Sequence, residues 1–112
     1  MNCLFCRIIQ TEIPVKILYE DDQVMAFNDI SPQAPIHFLL IPKRHIASLI
    51  ELNATHQALA GHMLITAQRL AQQQGCDNGF RLVINCGDDG GQTVDHIHMH
   101  VLGKRVLQWP PG

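Results

Sequence analysis

Only one stretch of this chain can make a helix of several turns, and it constrains the fold more than any other feature. Residues 53–75, "NATHQALAGHMLITAQRLAQQQG", begin with Asn53 and Thr55 as candidate caps and end on Gly75, which suits a left-handed C-terminal cap. Between them Leu59, Met63, Leu64, Ala67, Leu70 and Ala71 recur at helical spacing and predict one apolar stripe. The other apolar residues come in short runs broken by turn formers, which is the pattern of strands. "VKILYE" and "QVMAFND" predict a hairpin turning at Asp21 and Asp22. "IHFLLIP" reads as a buried strand ended by Pro42, and "FRLVINCG" and "HIHMHVLG" as two further strands. Leu4, Phe5, Ile8 and Ile9 fit a short N-terminal helix that stops before Pro14. Pro-rich "DISPQAP" and Gly-rich "GDDGGQT" are expected as loops, and "LQWPPG" as an extended tail. One long helix packed on about five mainly antiparallel strands is an α+β architecture.

The length of 112 residues predicts a single domain, 1–112, without repeats or linkers. A net charge of -2 argues against a nucleic-acid partner, which calls for a basic surplus. No apolar run approaches the roughly 18 residues that cross a bilayer, and "MNCLFCRIIQ" lacks a signal-peptide layout. No membrane partner and a cytoplasmic location are therefore expected.

Seven histidines occur in the chain, three of them in "TVDHIHMHVL". In an extended segment alternate side chains share a face, so His96, His98 and His100 line one side and Ile97, Met99 and Val101 the other. The bland explanation is a solvated face. A His-x-His pair can also present two rings to one zinc, yet Asp95, the acid beside the row, falls on the opposite face. Phosphorus chemistry accounts for more of the local sequence. Gly87, Gly90 and Gly91 let the backbone approach an anion, and Gln92 and Thr93 add side-chain donors. One neutral imidazole can then attack the phosphoryl group while a second, protonated, serves the leaving group.

Cys3 and Cys6 form a Cys-x-x-Cys pair at the start of the chain. A reducing compartment disfavours a disulfide there, and no strand precedes the pair as in thioredoxin-like motifs. Two buried small side chains are the plain alternative. Zinc is the preferred expectation, with further ligands among the histidines that spacing alone does not single out. Cys76 and Cys86 have no evident partner.

"HIHMHVL" fits the pattern His-φ-His-φ-His-φ-φ, and "FNDISPQAPIHFLLIPKRHI", "GGQTVDHIHMHVLG" and "WPPG" follow one another in matching order. On these motifs, over about residues 4–112, the chain resembles the histidine triad (HIT) family, and within it the nucleotide-binding branch of nucleoside phosphoramidases. The resemblance implies cleavage of the P–N bond of purine nucleoside phosphoramidates through a nucleotidyl intermediate on His98. It implies that His100 and Thr93 bind phosphate oxygens and help protonate the departing amine, with His37 supporting the His98–His100 pair. Gly91 and Gln92 would complete the phosphate cradle with Asn85 close by, and Asp29 would accept the ribose hydroxyls. Leu4, Phe5, Ile8, Phe27 and Ile30 would hold the purine, although Ile8 and Phe27 serve equally well as plain core. A zinc-binding subset of the family implies Cys3, Cys6, His45 and His96 as ligands of one structural Zn2+ per chain, with no metal required for the chemistry. A homodimer is implied too, with the long helix and the strand before the Gly-rich loop at the interface and Trp109 reaching toward the partner's pocket. A dinucleoside polyphosphate hydrolase and a nucleotide-binding interaction protein with weak catalysis are the alternatives. Thr93 stands where serine is common in the family, and Asp95 where many relatives carry an aromatic residue.

Overall fold

The computed structural model describes residues 2–112. Five strands form one sheet: β1 Ile17–Glu20, β2 Val24–Asn28, β3 Ile36–Pro42, β4 Phe80–Val83 and β5 Met99–Gly103. They lie in the order β1-β2-β3-β5-β4, and every neighbouring pair is antiparallel. The fold is thus mixed α+β, with a short helix α1 (Leu4–Ile9) and a long one α2 (Gln57–Gln73), as the sequence predicts.

Strand alternation sorts the side chains into two layers. Val24, Ala26, Phe38, Leu40, Met99 and Val101 meet Met63, Ala67, Leu70 and Ala71 of α2. Each large side chain buried there contributes about 1.5–3 kcal/mol. On the other face Met25, Phe27, Leu39 and Ile41 pack with Phe5 and Ile8 of α1. The centre of the sheet is therefore covered on both sides, which is why "IHFLLIP" is a continuous apolar run. His37 shares the α1 side with Leu39, and His100 lies directly opposite Leu39.

Several boundaries differ from expectation. Before α2 come two single 3₁₀ turns, Leu49–Glu51 and Ala54–His56. Asn53 caps the second, its Oδ1 accepting from the Thr55 N–H while its own N–H donates to His56 Nδ1. Gly75 closes the helix at φ +87°, the left-handed conformation expected of it. Leu64 leaves the apolar stripe and is 52% exposed. At 100° per residue it falls about 90° from the centre of the arc that Met63, Thr66, Ala67, Leu70 and Ala71 bury. His62 pairs with Asp21 in the β1–β2 turn at 2.7 Å, tying helix to hairpin. Burial works against the Asp21 charge, but donors from Gln23, His62, Val24 and Tyr19 hold its carboxyl well below the usual range.

"FRLVINCG" and "HIHMHVLG" are strand over only about half their length. Pairing of β5 with β3 starts at Met99 opposite Leu40; two positions further Pro42 has no N–H to offer, and the Ile97 N–H instead reaches the Ile46 carbonyl at 2.7 Å. The Gly-rich loop contains a four-residue helix, α3 (Gly87–Gly90), ended by Gly91 at φ +76°. Among the described residues no helix is long and apolar enough to cross a membrane.

Candidate functional site: two histidine clusters beneath the N-terminal helix

His96 anchors the first cluster. Its Nε2–H donates to the Pro42 carbonyl at 2.8 Å, which places the ring proton there and leaves Nδ1 with a free lone pair. That lone pair faces His45 Nδ1 at 3.1 Å, Cys3 Sγ at 3.3 Å and Cys6 Sγ at 3.6 Å. The four donor atoms all lie within 4.8 Å of one another. α1 makes this possible by placing Cys3 at its N-cap and Cys6 one turn later, with the Cys6 N–H on Cys3 Sγ. Burial and the neighbouring Cys3 push the Cys6 thiol up to about 11. Such a thiol becomes a thiolate when a cation replaces its proton. Two sulfurs, two nitrogens and a carbonyl that orients one imidazole from behind suit a tetrahedral metal. Sequence spacing could not choose His45 and His96; the fold brings both to the cysteines.

The second cluster holds the remaining triad histidines. His98 Nδ1 donates to the His96 carbonyl at 2.8 Å, so Nε2 carries the lone pair. The Phe5 ring packs edge-on against His98 at 5.1 Å and against His96 at 5.8 Å. His100 lies edge-on beside His98, ring centres 5.1 Å apart. His37, a diagonal neighbour across β3 and β5, places Nε2 at 2.9 Å from His100 Nδ1. Its other nitrogen, Nδ1, accepts the Gln33 backbone N–H at 3.0 Å. Asp29 Oδ2 lies 3.4 Å from His37 Nε2 and 3.9 Å from His100 Nδ1. Burial lowers the pKa of both rings, His98 and His37 add to the lowering at His100, and Asp29 opposes the shift in each.

Asp29, His37 and His100 also have the composition of a metal site. The Gln33 amide argues against that use. A ring bonded at Nδ1 by an N–H keeps its own proton on Nε2, and ligation there would require an imidazolate. Its hydrogen bonds suit proton transfer between the rings rather than metal ligation.

The other predicted site residues are placed less uniformly. Thr93 and Asp95 are exposed and Asn85 is half-buried. Gln92 spends its side chain on closing the loop and tying it to the segment after β3: Oε1 accepts the Gly87 N–H, and Nε2 donates to the Val94 and Ala47 carbonyls. The backbone N–H groups of Gly91 and Gln92 close the same turn onto Asp88 and Gly87. Both residues shape the loop before they meet any ligand. Phe5, Ile8 and Phe27 lie buried in the apolar cluster under α1, whereas Ile30 is 99% exposed. Trp109 is exposed in a tail that Arg81 holds through the Gln108 carbonyl at 3.0 Å. Gln33 and the Pro42 carbonyl escaped the sequence analysis, because a backbone donor or acceptor has no residue signature.

The HIT domain family model matches residues 10–107. An uncharacterized HIT-like protein of Synechococcus elongatus is 56% identical over 111 residues, covering 99% of this chain and 97% of its own. Among solved structures, a HIT family hydrolase from Legionella pneumophila Philadelphia 1 is 51% identical with a TM-score of 0.97, over 99% of this chain and 100% of that one. A histidine triad protein from Clostridium difficile is 44% identical with a TM-score of 0.92, over 96% and 95%.

Proposed function

The chain belongs to the HIT family, and from that premise we propose that it is a purine nucleoside phosphoramidase working through a nucleotidyl-histidine intermediate. The observation that carries the proposal is the His98 Nδ1–H bond to the His96 carbonyl, which fixes the tautomer that has Nε2 free to attack. The solved relative from Legionella pneumophila is named a hydrolase, in keeping with this.

In the proposed reaction His98 Nε2 forms a bond to the α-phosphorus as the P–N bond breaks. The departing amine takes a proton from His100 in its imidazolium form. The phosphate charge of the bound nucleotide favours that form despite burial, and Asp29 Oδ2, 3.9 Å from His100 Nδ1 and 3.4 Å from His37 Nε2, then accepts from both N–H groups, which no longer bond each other. Water then attacks phosphorus, returns a proton to His100 and frees His98 and the nucleoside monophosphate. Thr93 donates to a phosphate oxygen, while Gly91 and Gln92 hold the turn around it. Asp29 also serves the ribose hydroxyls, since a carboxylate has about four acceptor positions. Phe5, Ile8 and Phe27 form the floor of the base slot, with Leu4 and Ile30 as its exposed walls.

Cys3, Cys6, His45 and His96 would hold one Zn2+. With four protein donors the ion has no position open to substrate and supplies stability to the fold.

A homodimer completes the proposal. Leu64 and Ile65 stand exposed on α2 beside an apolar groove of about 130 Å³ lined by Leu49, Leu59, Met63 and Ile84. β4 ends the sheet with an unpaired edge. Gel filtration is expected to give twice the chain mass; a monomer would remove this part.

Adenosine phosphoramidate and a dinucleoside tetraphosphate, assayed side by side, test the substrate class. The expected result is release of nucleoside monophosphate with kcat/KM at least tenfold higher for the phosphoramidate. A preference for the dinucleotide would assign the chain to the polyphosphate hydrolases instead.

A further inference from the structure

His100 is only as useful as the placement of its proton, and a chain of backbone contacts outside the triad controls that placement. The Gln33 N–H is always a donor, so His37 Nδ1 must accept and His37 Nε2 must carry the proton. His37 Nε2–H then points at His100 Nδ1, 2.9 Å away, which forces the proton of a neutral His100 onto Nε2, the nitrogen on the far side from His37.

The Gln33 amide is itself held. The loop before β3 is pinned within itself by the Ser31 N–H on Asp29 Oδ1 at 2.8 Å and by Gln33 Nε2 on the Ser31 carbonyl at 3.1 Å. From outside the loop, Arg105 Nε reaches the Gln33 carbonyl at 2.8 Å. The register of the sheet brings it there. Gly103 pairs with Ile36, so the chain leaving β5 runs beside the loop entering β3, and Lys104 at φ +70° turns Arg105 toward it. Among the described residues Arg105 is the one cationic side chain that bonds this loop.

We propose that Arg105 is a positioning residue for the active site: by holding Gln33 it keeps His37 a permanent donor and keeps the resting proton of His100 on Nε2. This role rests on the proposed reaction for its consequence but not for its detection. Histidine tautomers are read directly from ¹⁵N shifts of the protein as purified, without substrate.

The experiment compares wild type, Arg105→Ala and Arg105→Lys by ¹⁵N-histidine NMR and by steady-state turnover of adenosine phosphoramidate. In wild type His37 and His100 should both show Nε2–H. In Arg105→Ala, which removes an exposed side chain, His37 should shift toward a tautomer mixture, and kcat should fall about threefold to tenfold with KM unchanged, the size expected for one ordinary hydrogen bond. Lysine, which keeps the charge without the planar fork, should restore part of the loss. Wild-type His37 protonated on Nδ1, or an Arg105→Ala protein with unaltered tautomers, overturns the inference. A protein without phosphoramidase activity whose tautomers still respond to Arg105 overturns the proposed function and leaves the positioning role standing.

Discussion

Replacing His98 with asparagine is expected to leave less than about one-thousandth of wild-type turnover, the usual consequence of removing a covalent nucleophile. Asparagine suits the test better than alanine. His98 is 3% exposed and carries the Phe5 ring on its side, so truncation to alanine would open a cavity beneath α1. The asparagine amide can still donate to the His96 carbonyl, while offering no basic nitrogen in place of Nε2. Loss of turnover with an unchanged melting temperature therefore isolates the chemistry from the packing. Rapid quench and intact-mass measurement should find one nucleotidyl group on wild type and none on the variant. Undiminished turnover of phosphoramidate by the asparagine protein would end the case for His98 as the attacking group.

Stripping metal from the cysteine–histidine cluster is expected to give the second large effect. α1 has six residues, far below the length at which an isolated helix persists in water, so its position depends on what it packs against and what ties it down. Two of its tethers are Cys3 and Cys6. Without a cation, the buried Cys6 and His96 are left to one another, to the half-buried Cys3 and to the exposed His45, with His96 lowered mainly by burial. The purified protein is expected to contain about one zinc per chain. Removal by a chelator, or the Cys6→Ser change, should cost roughly 3–5 kcal/mol and so lower the melting temperature by about 12–20 °C for a domain of this size. Activity should then fail because α1 loosens and carries Phe5 away from His98. Were the ion catalytic instead, chelation would abolish turnover while the melting temperature held. A metal-free preparation as stable as the native one would dispose of the structural role altogether.

The two clusters illustrate how neighbouring histidines of one row acquire different work. His96 and His98 differ in which nitrogen meets a carbonyl: Nε2 in the first, Nδ1 in the second. The remaining nitrogen of His96 then points among sulfurs, and that of His98 stays free. Spacing in the chain carries no information about this choice, since both residues sit in identical His-φ contexts. The Asp29–His37–His100 group makes the same point, because a single amide from Gln33 argues against metal ligation in a group whose composition would fit it.

Local pattern alone determined the layering of this protein. Apolar periodicity set one long helix, a short N-terminal one and five strands, turn residues divided them, and the alternation of 96–101 placed imidazoles and core residues on opposite sides even where no ladder forms. Tertiary structure decided everything that depends on a partner distant in the chain. It delayed the start of β5 to Met99 because Pro42, more than fifty residues earlier, lacks a donor; it left Leu64 outside the buried arc; it turned Gln92 inward to tie its loop to Ala47; and it brought Arg105 to Gln33. The reason is one of range: periodicity reports which way a side chain points, whereas hydrogen-bond partners and proton positions are set by atoms that only folding brings within about 3 Å.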